Sequence, residues 1–284
     1  NSGTTVYFTR FSPLALATTA LSEAVAPSFV DMTATTVSAV LANYGSAVKV
    51  SDLYALTSIE TGLTEHIGVM GQNAGETIDR LIRTELSSGA TVQLVSTSSG
   101  GAAGSTTAIS TIHTSDTITG LEVRLVVAAL KTNKARKFPG GMFRAIIGQY
   151  GAMDLMGNSE WVNANIYATP EAIQNGVIGK LGGVEFVETN DPLITVSGGF
   201  STSAANVANV QTTFFCGSDG YGVVNLGSIS APKIFVKNPG SGSTDNPIDT
   251  FSTIGWKMPF VAKTLNSNWV IALKHGATGQ FHAG

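Results

Sequence analysis

In "TTVYFTRF", residues 4–11, β-forming apolar side chains and polar ones change places along the run, which predicts a strand. A polar, Ala/Thr-rich stretch carrying Pro13 and Pro27 follows. "TTVSAVLANYGSAVKVSDL", residues 35–53, then predicts a long returning strand, interrupted at Gly45 by a bulge. Together the two strands make a ribbon with a long tip. Two strands alone are marginal in water, so the ribbon must lie on its own body or on a neighbouring subunit.

From residue 63 to 88 the period lengthens. Leu63, Ile67, Met70, Ala74, Ile78, Leu81 and the pair Glu85/Leu86 recur at steps of three and four, which predicts a long helix with one apolar stripe. Thr61 is placed to cap it and Gly89 to stop it. Gly68, Gly71 and Gly75 each cost an isolated helix about 1 kcal/mol relative to alanine, so close packing against the backbone is expected there. Beyond it, "VQLVS" reads as a short strand and residues 97–111 as a flexible small-residue loop. Residues 115–133 predict a second helix with Leu121, Leu125, Ala128 and Ala129 on one face. "FRAIIGQY" reads as a buried strand, and 150–167 as a helix bearing Trp161. From residue 212 onward strands dominate: "TTFFCG", "YGVVNLG", "PKIFVKN", "STIGWKMPFVAKTL" and "NWVIALKH". Helices and strands mix without a steady βαβ alternation, so the class is α+β.

Charge changes the picture. Only 12% of the 284 residues are charged, about half the roughly 25% of an ordinary soluble domain. Interface cores are depleted in charge, so such a chain is expected to hide much surface against other copies, although a weakly charged β-rich monomer would have the same composition. The net charge of −3 offers no general basic field for nucleic acid. The knot Lys131, Lys134, Arg136 and Lys137 suits the C-terminal end of a helix; a nucleic-acid patch is the sharper alternative. No apolar run reaches membrane-spanning length.

Candidate chemistry is thin. "IQNGVIGKLGGVEFVETN", residues 173–190, has the glycines and the lysine of a phosphate loop, but Leu181 follows Lys180 where a magnesium-holding Ser or Thr is needed. Its glycines read better as turn and close-approach positions feeding the strand "VEFVE". Cys216, the single cysteine, lies in an apolar run and is expected to be buried and inert. His66, His113, His275 and His282 show no metal-ligand spacing; His66 is expected on a polar face, and His275 and His282 exposed near the C-terminus. The pairs Glu185/Glu188 and Asp154/Glu160 are joined to no site. No catalytic residue, cofactor or metal is assigned.

Six blocks, taken in order, carry a resemblance. "NSGTTVYFTRFSPLALATTALSEAVAP", "ANYGSAVKVSDL", "GQNAGETIDRLIRTEL", "PEAIQNGVIGKLGGVEFVETND", "YGVVNLG" and "IGWKMPFVAKTLNSNWVI" resemble the tailed-phage major capsid family typified by the podovirus N-four coat protein. The likeness runs across nearly the whole chain. It implies the Hong Kong 97 capsid fold: an extended loop at 1–50 lying on a neighbouring subunit, and a peripheral domain at 51–141 with a spine helix at 62–89. An axial domain would occupy 142–225, and residues 226–284 would return to the peripheral domain. Family members usually carry more sequence before the first block, so an N-terminal arm is expected to be missing here. Residues 1–45 contain no lysine, which argues against the lysine–asparagine cross-link some such loops make.

The resemblance further implies a non-enzymatic coat protein that forms hexamers and pentamers in an icosahedral shell around phage double-stranded DNA. Portal, scaffolding or decoration proteins would be its partners, assembly would occur in the bacterial host cytoplasm, and no membrane is involved. An encapsulin-like shell carrying protein cargo is the alternative. Candidate contacts between subunits are Phe8, Arg10, Phe11, Tyr44, Lys180 and Glu185.

Overall fold

A computed structural model describes residues 3–12, 14–21, 23, 26, 29–57, 62–95, 109, 112, 115–161, 177–196, 209–224, 231–237 and 250–278. The chain divides into two compact units, Asn1–Met70 with Val223–Val261, and Gly71–Gly222 with Ala262–Gly284.

In the first unit, strand β1 (Thr5–Phe11) pairs antiparallel with β2 (Ala34–Val40) to make the predicted ribbon. The returning strand does not break at Gly45. It breaks at Leu41, whose N–H still donates to the Thr4 carbonyl, and β3 (Ala42–Ser51) leaves the ribbon for another partner. That partner is β12 (Phe251–Thr264), which pairs antiparallel with β3 from Phe251↔Ser51 to Phe260↔Ala42. Gly45 lies inside this ladder because a Cβ there would stand 2.4 Å from the Trp256 carbonyl oxygen. Strand β11 (Lys233–Lys237) pairs with β12 on its other side, and β10 (Tyr221–Val224) is the fourth strand of the sheet. On β12, Ile254, Trp256, Met258 and Phe260 alternate inward, the period-two pattern of a sheet with one covered face. A short helix α1 (Asp52–Thr57) follows β3.

The long helix α2 (Gly62–Gly89) agrees with the 63–88 reading, though Thr61 lies outside the described residues. Met70, Ala74 and Leu86 are buried on the expected stripe, whereas Ile78 and Leu81 are only half-buried. Among the described residues, nothing outside the helix's own neighbouring backbone lies within 4 Å of a Cβ built at Gly68, Gly71 or Gly75, so the close packing expected there is not made by those residues. Glu85 is the polar member of the stripe for a reason. Its carboxylate accepts from the Thr264 N–H at 3.1 Å and pairs with Lys263 at 3.1 Å.

The second unit is built on a seven-stranded mixed sheet ordered β4, β13, β9, β5, β7, β6, with β8 also on β9. The strands are β4 (Thr91–Leu94), β5 (Phe143–Gly148), β6 (Val177–Leu181), β7 (Val184–Thr189), β8 (Leu193–Val196), β9 (Asn209–Cys216) and β13 (Val270–His275). Alternate side chains serve opposite faces. Ala145, Ile147, Phe215, Ile271 and Leu273 join one core with helices α3 (Gly120–Thr132) and α4 (Gln149–Met156). Phe214, Cys216, Val270 and Ala272 join a second core with Leu86 and Ile82 of α2. A sheet covered on both faces reads as unbroken apolar strands, as "NWVIALKH" does.

Three expectations need correcting here. Helix α3 begins at Gly120, capped by the Thr119 hydroxyl, and not at 115. It buries Val123, Val126, Val127 and Leu130, while Leu121 and Ala128 face solvent. Helix α4 stops at Met156, and the chain is helical again at 159–161, where Trp161 lies edge-on to Phe186 with ring centroids 5.7 Å apart. Residues 162–167 lie outside the described residues. Gly157 is the break.

Candidate assembly surface

The ribbon's register sorts its side chains. Thr5, Tyr7, Thr9 and Phe11 share one face with their partners Val40, Ser38, Thr36 and Ala34. Val6, Phe8 and Arg10 share the other with Ala39, Val37 and Thr35. On that second face Ala39 is buried and Phe8 half-buried, but Arg10 is exposed. The first face is open, with Tyr7 67% and Phe11 61% exposed. The candidate contacts Phe8 and Phe11 thus sit on opposite faces of the ribbon.

The tip is more exposed still. Leu16 is 82%, Leu21 77% and Phe29 95% exposed, with Val30 and Met32 alongside. Each such side chain forgoes about 1.5–3 kcal/mol that full burial provides. This many large exposed apolar side chains on one segment make the tip a candidate interaction surface. The sequence reading placed its candidates on the strand and missed the tip. The available signal was a run of Leu, Phe, Val and Met between Pro13 and residue 33 with no helical or strand period to bury them.

Tyr44 lies on β3 opposite Met258 and is half-buried. In the second unit, Lys180 and Glu185 are brought face to face. Leu181 pairs with Val184, leaving Gly182 and Gly183 as a two-residue hairpin turn with φ of +60° and +86°. Positive φ at both positions is the hairpin geometry that glycine accepts without strain. Gly179 makes the close approach, because a Cβ there would lie 2.6 Å from the Trp161 ring. Gly182 and Gly183 are therefore turn positions and Gly179 a close-approach position, as read from sequence, while residues 173–176 lie outside the described residues. Across this hairpin Glu185 Oε1 lies 4.0 Å from Lys180 Nζ, and Oε2 lies 3.4 Å from Arg144 Nε on the next strand.

Several other titratable groups are held by neighbouring residues of the chain. His275 is fully buried, contrary to the exposure expected of it, because β13 is a central strand and not a frayed end. Its Nδ1–H donates to the Gly276 carbonyl at 2.7 Å, so Nε2 accepts from the Thr213 hydroxyl at 2.8 Å. Burial pushes its pKa down. Cys216 is buried as expected, and burial pushes its thiol up to about 12. Asp154 accepts from both the N–H and the hydroxyl of Thr278, and Glu160 pairs with Arg124 at 2.8 Å. Asp191 is held by Arg80 and by Arg83, at 2.7 Å from the latter. Partial burial pushes its carboxyl up, but the hydrogen bond from Arg80 and the charge of Arg83 outweigh this and keep it below the usual range. In the basic knot, Lys131 occupies the last turn of α3, Arg136 stands 3.9 Å from Asp219, and Lys137 lies over the Phe143 ring. Among the described residues no three His, Cys, Asp or Glu side chains could hold a metal together. His113 and His282 lie outside those residues, and no described helix is long and apolar enough to cross a membrane.

No protein-family model and no curated protein sequence matches this chain. Solved structures do. The capsid of Ralstonia phage GP4 superposes with a TM-score of 0.71 at 12% identity, over 100% of this chain and 86% of that one. The capsid of cyanophage P-SCSP1u gives 0.65 at 16% identity, over 97% and 84%. A weaker likeness, TM-score 0.50 at 10% identity over 89% and 80%, is to the SrpI encapsulin of Synechococcus elongatus. The chain has the Hong Kong 97-type capsid fold, an α+β architecture.

Proposed function

We propose that this chain is the major coat protein of a tailed bacteriophage. Its copies gather into hexamers and pentamers that close an icosahedral shell around double-stranded DNA. The observation that carries the reading is the ribbon: a two-stranded arm with a solvent-facing apolar tip, on a fold shared with phage capsids. Such an arm is unstable as an end state for a lone subunit, and a second copy laid beneath it removes the exposure. The role is structural and not enzymatic.

Within this proposal residues 1–50 are the arm, 51–141 with 226–284 the peripheral domain, and 142–225 the axial domain. Phe8, Arg10, Phe11, Tyr44, Lys180 and Glu185 stand at contacts between copies. Packaged DNA is bound without sequence preference, and portal, scaffolding or decoration proteins complete the virion in the host cytoplasm. Kinship with the N-four coat protein in particular rests on the sequence blocks alone.

Expressed protein examined by sedimentation and negative-stain microscopy should yield capsomers or closed shells; a subunit that stays monomeric at high concentration would refute the reading. The likeness to an encapsulin supports a second reading, a shell of the same fold around protein cargo. Particles filled with one co-purifying protein and no nucleic acid would decide for it.

A further inference from the structure

The sheet of β3, β12 and β11 carries a second unpartnered surface on the first unit. Lys237 is paired with Thr253, and Thr253 with Lys49; Lys233 is paired with Lys257. Directly paired residues share a face, and positions two apart on a strand return to it after about 6.8 Å. Lys49, Lys233, Lys237 and Lys257 therefore all stand on one side, opposite to buried Ile254, Trp256 and Met258. All four are exposed. None has an ion pair among the described residues. Lysines placed directly opposite one another, as Lys233 and Lys257 are, destabilise a sheet by repulsion, so the arrangement calls for an anionic complement.

Between the two lysine rows runs a third, Phe235–Gly255–Ala47. Gly255 and Gly45 carry no side chain and Ala47 only a methyl, which leaves a trough of about 410 Å³ flanked by Phe235, Lys237 and Lys257. Two lysines are held up by rings: Lys49 Nζ lies 4.7 Å over Phe251, and Lys233 Nζ 5.4 Å over Phe235. The surface thus offers an apolar slot flanked by exposed lysines.

The same chain displays the opposite character. Residues 11–48 contain no lysine or arginine, and their only charges are Glu23 and Asp31. Both are exposed at the ribbon tip, and Asp31 lies in the sequence "FVDM" beside exposed Phe29, Val30 and Met32. Several other acids of the chain are already paired, Glu85, Glu160, Glu185 and Asp191 among them. We propose that the lysine face of β3, β12 and β11 is the receiving surface for the ribbon tip of a second copy. Phe29 enters the trough, and Asp31 and Glu23 meet the lysine rows. A nucleic-acid backbone would satisfy the cations but has nothing to fill an apolar slot, so a polypeptide carrying both features fits better. The inference rests on the proposed self-assembly and adds its chemistry.

A charge exchange tests it. Asp31→Lys alone, and Lys233→Glu with Lys257→Glu, should each cut the yield of assembled particles about tenfold or more, because weak contacts are repeated across a shell. Combining all three changes should restore most of that yield. Circular dichroism of the unassembled variants should stay that of the wild type, since all three positions are exposed. Wild-type protein that never assembles overturns the proposed function itself. Wild-type shells with lysine variants that assemble normally leave that function standing and overturn this inference. If those lysine-variant shells also lose retained DNA, the face belongs to nucleic acid instead. Loss in both single arms without recovery in the combination also refutes the pairing.

Discussion

Phe29→Ser separates the stability of the subunit from the stability of the assembly. The ring is 95% exposed in the chain, so its removal takes almost nothing from the subunit's own packing. Surface changes of this kind stay within about 0.5 kcal/mol. Buried beneath a neighbouring copy, the same ring contributes about 1.5–3 kcal/mol to each contact. At 1.4 kcal/mol per factor of ten, the association constant for that contact falls by about 10- to 100-fold. The matched control is Phe186→Ala, whose ring is fully buried between Trp161 and Phe215. There the subunit itself should lose about 3–5 kcal/mol. Urea unfolding of unassembled protein measures the first quantity, and the critical concentration for assembly by light scattering measures the second. Phe29→Ser should raise the critical concentration with an unchanged unfolding midpoint. An unchanged critical concentration would show that the ring stays in solvent in the particle. A lowered midpoint would show that it packs on its own chain.

Two further outcomes are expected. Gly45→Val drives a side chain into the Trp256 carbonyl, a backbone atom that cannot swing aside, and should destabilise the β3–β12 ladder by about 1–3 kcal/mol; amide exchange should quicken in β3 and β12 but not in β13, and unchanged protection in β3 would contradict the packing. His275 has its pKa lowered by burial, so the unfolded chain binds the proton more readily than the folded one. Its contribution to stability is then complete above about pH 6.5 and is lost as pH falls from there toward the folded-state value, so His275→Asn should flatten the fall of the unfolding midpoint on acidification; an equal slope in both proteins would refute the buried neutral ring.

What the sequence disclosed followed period and punctuation. The alternation in 4–11, the 3.6 period of α2 and the Gly182–Gly183 turn are local signals, and the structure keeps all three. The α+β class was legible for the same reason, since many local signals agree; the capsid fold was legible through the resemblance of six sequence blocks to a known family, not through period. Errors arose where a distant partner decides. Gly45 reads locally as a break, yet its role is to let the Trp256 carbonyl approach from a strand more than 200 residues away. In α3 the apolar stripe of Leu121, Leu125, Ala128 and Ala129 competes with one of valines, and the sheet face chose Val123, Val126 and Val127. His275 near the chain's end was read as exposed because sequence position does not reveal that β13 is flanked by β4 and β9. The lysine face was invisible for the same reason: Lys49, Lys233, Lys237 and Lys257 are scattered along the chain, and only the strand register gathers them.

The most direct measurement places a photo-activated cross-linker at position 29 in particles assembled from a mixture of light and heavy isotope-labelled subunits. Adducts joining a light peptide to a heavy one, ending near β3, β11 or β12, are the predicted result. Adducts that join only light to light and heavy to heavy would mean that the tip folds onto its own chain, and the proposed mode of assembly would be wrong.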